Sequence, residues 1–249
     1  MMRKMRSDPH RTGCSYGISS IQYYPFISGR NDGQEDEKKL REGSGNLEDN
    51  LKILLNIIPK LEAGQRFVLG LDGLSRSGKT TLAEKLHRVM LEKNVPVHVF
   101  HIDDYIERRN TRYHTGQEEW YEYYNLQWDI AWLRDNLFKK LKVSHQLELP
   151  VYDEKTENEH NVTIPETCVI VIEGVFLQRQ EWRSYFDFVA YLDCPREIRF
   201  SRESEATRMK VEKFVNRYWK AEDYYLQTER PTEQADLILH SVVRSGLPH

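Results

Sequence analysis

Eight residues limit what this chain can fold into more than any others. Gly73-Leu-Ser-Arg-Ser-Gly78-Lys79-Thr80 follows the pattern G-x-x-x-x-G-K-[S/T] without a mismatch. The pattern makes a phosphate-binding loop only between a β-strand and an α-helix, and both flanks are legible. Arg66-Phe-Val-Leu-Gly-Leu-Asp72 is an apolar run of strand length, and Thr80 to Lys93 carries apolar residues at helical spacing. Gly73 and Gly78 let the backbone turn tightly and approach an anion. The loop amides of Ser75, Arg76, Ser77 and Gly78, with the helix N-terminus at Lys79, Thr80 and Thr81, can point at phosphate oxygens. Lys79 can bridge the β- and γ-phosphates, and the Thr80 hydroxyl can ligate Mg2+. A turn that merely started a helix would need neither Lys79 nor Thr80.

The rest of the chain supplies the setting such a loop needs. Val97–Ile102, Cys168–Glu173, Phe188–Leu192 and Ala235–Leu239 read as further strands. Asn46–Leu61, Asp129–Val143, Pro195–Arg208 and Val211–Thr228 read as helices. Alternation of this kind predicts an α/β fold of the P-loop NTPase class: a mainly parallel five-stranded sheet with helices on both faces, and ligands beyond the carboxyl ends of the strands. Residues 1–46 are rich in Gly, Ser and charge without sustained periodicity, so they read as a flexible extension before a domain over 47–249. That domain carries a small insert at about 105–165 and a lid at about 195–210.

Composition narrows the function classes. Charged residues are 30% of the 249, the net charge is −3, and no basic excess marks a nucleic-acid partner. No apolar run reaches the roughly 20 residues that span a bilayer, and the basic N-terminus has no apolar segment behind it. Cys14, Cys168 and Cys194 are far apart, which suits a reduced cytoplasmic setting and packing roles for the two that lie beside strands. A homo-oligomer is compatible with all of this.

Candidate chemical residues cluster at predicted strand ends. Glu173 closes the Val-Ile-Val-Ile run and could hold Mg2+ opposite Thr80, or could be an ordinary strand-end carboxylate. Asp103 and Asp104 follow the second strand. One could orient an acceptor hydroxyl and take its proton, Asp103 being preferred, or both could cap the next helix. Arg196, Arg199, Arg202 and Arg208 could close over transferring phosphate, Arg202 and Arg208 above all, yet Glu197, Glu203 and Glu205 make a solvated face equally plausible. Residues 105–132 hold five tyrosines and three tryptophans, enough for a stacking pocket or for the core of a subdomain. The interleaved acids Glu107, Glu118, Glu119 and Glu122 oppose base stacking on single-stranded nucleic acid.

Taken together, these segments resemble the uridine kinase family of P-loop kinases from about Arg66 to Leu239. Leu71–Thr81 resembles that family's phosphate loop, and Ile102-Asp103-Asp104-Tyr105 its Asp-Ser-Phe-Tyr segment. Pro150-Val-Tyr152-Asp153 is similar to its Pro-x-Tyr-Asp segment, and Ile172-Glu173-Gly174-Val175 to its Glu-Gly-Ile segment. The resemblance implies an ATP- and Mg2+-dependent kinase whose acceptor is a small molecule, a nucleoside first of all. It implies Asp103 as acceptor base, Asp104, Tyr105, Tyr152 and Arg199 beside the acceptor, and Glu173 on the metal side. Two segments depart from the pattern. Glu157 stands where the family's base-reading histidine falls, and Asn125-Leu-Gln-Trp-Asp129 replaces its His-Pro-Asp. Nicotinamide riboside, pantothenate and ribulose phosphate therefore stay open as acceptors, and a regulator without catalysis is the alternative class.

Overall fold

A computed structural model describes residues 45–152 and 157–241, with only the backbone of 148, 150–152 and 157–161. The chain runs α1 (Leu47–Ile57), β1 (Arg66–Asp72), α2 (Lys79–Glu92), β2 (Val97–His101), a 3-10 turn (Ile102–Tyr105), α3 (Arg109–Arg112), α4 (Glu119–Asn125) and α5 (Ile130–Asn136). It continues through β3 (Gln146–Tyr152), β4 (Glu157–Thr163), β5 (Cys168–Glu173), β6 (Phe188–Asp193), α6 (Arg196–Ser201) and α7 (Glu205–Arg208). It ends in α8 (Val211–Lys213), a π-helical segment (Phe214–Trp219), α9 (Lys220–Thr228), α10 (Pro231–Gln234) and β7 (Leu237–His240).

The sheet order is β2-β5-β1-β6-β7, every neighbouring pair parallel. All six residues of β5 are buried, as expected for a Val/Ile-rich strand covered on both faces. One face packs on α1 and α2 through Leu51, Leu54, Leu82, Leu86 and Met90. The other packs on the insert and α9 through Trp128, Phe138, Phe176, Trp182 and Tyr225. Arg66 ties the insert to the foot of β1. Its guanidinium donates to the carbonyls of Leu141, Ser144, Ile164 and Pro165. Register brings the strand tips level: Leu71 and His101 both pair with Glu173, one from each side.

The five-stranded parallel sheet and its flanking helices are as the sequence predicts, and local outcomes differ for identifiable reasons. Helix α1 stops at Ile57 because Pro59 pushes Ile58 into an extended conformation. The expected helix to Val143 breaks at Leu137, where the backbone turns so that adjacent Leu137 and Phe138 are both buried. The lid helix is split because the Ser204 side chain accepts from Thr207 N–H and caps a new start. The β3–β4 hairpin was not anticipated. Its inward Leu147 and Leu149 alternate legibly, but Pro150 and the polar run Glu157–Asn161 disguise the strands. The 1–46 extension lies, except for Gly45 and Asn46, outside the described residues. Among the described residues, no helix is long and apolar enough to cross a membrane.

Gly174 follows Glu173 where the tips of β5 and β2 meet. A Cβ there would lie 2.0 Å from Ile102 Cγ2. Gly174→Ala is therefore expected to destabilise the protein by about 1–3 kcal/mol through overpacking. An unchanged urea midpoint would refute this contact.

Candidate active site

The loop between β1 and α2 is shaped by two glycines and by cations behind it. Gly73 has φ 148°, and a Cβ there would sit 2.6 Å from the Leu192 carbonyl oxygen. Gly78, at φ 107°, forms the N-cap of α2. Ser77 N–H closes a turn on the Leu74 carbonyl at 3.2 Å. Four consecutive carbonyls then accept from side-chain cations. Lys79 Nζ donates to Leu74 at 3.0 Å and Arg199 Nη1 to Ser75 at 3.1 Å, while Arg202 Nη1 donates to Arg76 at 2.7 Å and Ser77 at 2.8 Å. In a trans peptide the C=O and the following N–H point in opposite directions. With the Ser75 and Ser77 carbonyls turned toward arginines, the amides of Arg76 and Gly78 face away from them. The first turn of α2 adds N–H groups that no helix carbonyl can satisfy. This is an anion cradle.

The acid at the tip of β5 meets the first turn of α2. Thr80 Oγ1 donates to Glu173 Oε1 at 3.1 Å, and His101 Nδ1 lies 2.7 Å from the same oxygen. The hydrogen bond to Glu173 raises the His101 pKa. Neighbouring oxygen ligands at Mg2+ bond lengths stand ~2.9 Å apart, so the hydroxyl–carboxylate pair fits that ion. His101 was missed from sequence because no spacing motif includes it, and only the strand register reveals the contact. Burial pushes the Lys79 ammonium below its ordinary range, while Glu173, Asp72, Asp103 and Glu222 oppose that shift.

Asp103 sits on the 3-10 turn after β2 and lines the same cleft, whereas Asp104 and Tyr105 do not. Its carboxyl is open to the cleft mouth, yet its recessed position raises its pKa, helped by Glu173 and Asp104 and opposed by Lys79. The cleft measures about 1860 Å3. Typical small-molecule sites occupy roughly 300–1,000 Å3, so it has room for two ligands. Beyond Asp103 its wall is Ile106, Tyr123, Gln127, Val175, Phe214, Tyr218 and Trp219. Of the eight rings in 105–132, Tyr123 alone lines the cleft, and Tyr124 and Trp128 are core. Phe200 of α6 adds one cleft ring, and three more come from the π segment, which the sequence reads as ordinary helix. At roughly 4.4 residues per turn, Phe214 and Tyr218 stand nearly in line and Trp219 follows beside them.

The remaining predicted residues have varied placements. Arg199 is 5% exposed and is gripped bidentately by Glu222 at 2.7 and 3.0 Å, beneath the loop and not poised over an acceptor. Arg202 also donates to Ser241 Oγ. Arg208 is exposed on α7 and does not line the cleft. Ser75, Arg76, Ser77 and Thr81 line it, and Arg76 Nε pairs with Glu203 at 2.9 Å. Tyr152 closes β3, and its side chain lies outside the described residues. Asp72, also missed, ends β1 fully buried. It accepts from Tyr225 Oη at 2.6 Å and Gln178 Nε2 at 2.9 Å, and burial raises its pKa.

Comparison with known proteins adds to this geometry. The Phosphoribulokinase / Uridine kinase family model matches residues 68–244. A uridine kinase of Borrelia duttonii is 30% identical over 186 residues, covering 69% of this chain and 85% of that protein. A solved structure described as a possible uridine kinase from Bacillus stearothermophilus is 48% identical, with TM-score 0.67, covering 82% of this chain and 99% of that one. D-glycerate 3-kinase from Cryptococcus neoformans shares the fold alone, at 12% identity and TM-score 0.51, covering 83% and 94% of the two chains.

Tyr225→Phe removes the donor to Asp72 and the acceptor of Gln178 N–H. It should cost about 1–3 kcal/mol of stability, because two buried hydrogen bonds are lost together, although Asp72 keeps Gln178 Nε2 and the Leu177 N–H. Denaturation midpoints matching the wild type would contradict that accounting.

Proposed function

Since the chain belongs to the phosphoribulokinase/uridine kinase family, we propose that it transfers the γ-phosphoryl group of ATP to a hydroxyl of a nucleoside. The observation that carries this reading is one cleft lined both by Lys79, Thr80, Glu173 and Asp103 and by Tyr123, Phe214, Tyr218 and Trp219. The first group matches phosphoryl transfer, and the second offers planar faces to a base. The similar uridine kinases support a nucleoside acceptor. A cytoplasmic setting agrees with the buried free Cys168 and Cys194.

The loop amides and Lys79 hold the triphosphate. Thr80 and Glu173 would hold Mg2+, which supplies charge neutralisation on the β- and γ-oxygens when bound. His101 keeps the Glu173 carboxylate oriented through their hydrogen bond. Asp103 orients the acceptor hydroxyl and accepts its proton as the oxygen attacks phosphorus. The aromatic wall excludes water from that oxygen and fixes the acceptor's attitude. Arg202, whose guanidinium is taken by the Arg76 and Ser77 carbonyls and Ser241 Oγ, acts on the transfer only by holding the loop from behind.

ADP release from Mg-ATP across nucleosides, nicotinamide riboside and pantothenate, with Lys79→Ala as blank, tests the activity. A Lys79-dependent signal with a nucleoside is expected. A signal confined to another acceptor would overturn the nucleoside assignment, and none at all would overturn the kinase reading. Asp103→Asn should lower kcat by at least about 100-fold while ATP binding persists. Asp103 works ionised, and its pKa is raised, so kcat/KM should fall with decreasing pH through a limb above the ordinary carboxylate value of ~3.9. A limb at or below that value would remove Asp103 from the base role.

A further inference from the structure

Glu222, on α9, is 1% exposed and lines the cleft, but neither of its oxygens is free for a ligand. Both accept from Arg199, which is itself 5% exposed. Arg199 in turn donates through Nε to the Cys194 carbonyl and through Nη1 to the Ser75 carbonyl of the phosphate loop. Arg199 thus stands between α9, which continues from the π segment that carries Phe214, Tyr218 and Trp219, and the backbone that forms the anion cradle. Without a carboxylate beside it, an arginine this deep would be a costly buried charge. With Glu222 bidentate on one edge, its planar fork is held so that the remaining Nη1–H is aimed at Ser75.

We propose that Glu222 is a positioning residue for nucleotide binding: through Arg199 it holds the Ser75 carbonyl outward and so keeps the Arg76 amide turned into the cradle. The proposal rests on the kinase reading only in that the loop must bind Mg-ATP. It assigns Arg199 a task different from acceptor contact, and it gives α9 a hold on the loop independent of the Tyr225–Asp72 bond one turn later.

The test compares Mg-ATP affinity, measured by calorimetry without any acceptor, with melting temperature in Glu222→Gln, Arg199→Met and the double variant. Glu222→Gln leaves a buried cation without its partner and should lower Tm, and Arg199→Met leaves the converse carboxylate. The double variant removes both charges, and neutral replacement of a buried pair is often tolerated, so its Tm should return toward the wild-type value. Each single variant should bind Mg-ATP on the order of tenfold more weakly. The double variant should bind no more tightly than Arg199→Met and show no additional loss, since both residues act along one route. Affinity that recovers together with Tm would mean the pair is only structural, and multiplied losses would mean the two act separately. Wild-type affinity in Glu222→Gln would also overturn the proposal. A wild-type chain that fails to bind Mg-ATP would instead overturn the underlying kinase reading.

Discussion

A peptide chain can offer amides to an anion only where the partner carbonyls have somewhere else to go. In this protein the carbonyls of Leu74, Ser75, Arg76 and Ser77 go to Lys79, Arg199 and Arg202. The loop's shape is therefore maintained from outside, by side chains on α2 and on α6 and its C-cap, as well as by its own glycines. The same arrangement explains why the first helix after β6 must pack against the loop, and why its arginines are anchored by a buried acid and not left to solvent. Removing the loop's polarity would leave the rest of the cleft with nothing to act on.

Charge is balanced around Lys79 on the same economy of space. Asp72, Asp103, Glu173 and Glu222 come from four different elements and all bear on this one ammonium. Parallel pairing makes this convergence possible. The carboxyl ends of β1, β2 and β5 stand level, so the residues that terminate them meet at one edge of the sheet. Of the four acids, Glu173 is committed to Thr80 and His101, Asp72 to Tyr225 and Gln178, and Glu222 to Arg199. Asp103 lines the cleft from the 3-10 turn after β2, and burial raises its pKa.

Much of this was legible before any coordinates. Gly73 to Thr80 announces a nucleotide fold because its residue types have no other common use. The strands β1, β5 and β6 are plain because both faces are buried and their runs are uniformly apolar. Asp103 and Glu173 could be chosen as strand-end acids next to such a loop. What was not legible depends on contacts between segments far apart in sequence. His101 gains its role only from register with Glu173, and Asp72 only from Tyr225, 153 residues away. Arg199 and Arg202 read as lid residues because spacing cannot say whether a guanidinium points at a ligand or at a carbonyl. The π turn at Phe214–Trp219 is hidden for a related reason: its composition is that of any amphipathic helix.

That π turn divides one long helix into two rotational settings. Upstream of its end, Phe214, Tyr218 and Trp219 line the cleft; downstream, Glu222 holds Arg199 against Ser75 and Tyr225 holds Asp72, both at the start of the phosphate loop. A wide turn of this kind differs from an α turn by a single residue in the count. Loss or gain of one residue between 214 and 219 would swing the aromatic wall by about 100° while leaving the loop-gripping half in place. The aromatic wall can thus be re-cut over evolutionary time by changes in chain length alone, without a substitution in the residues that hold the phosphate loop.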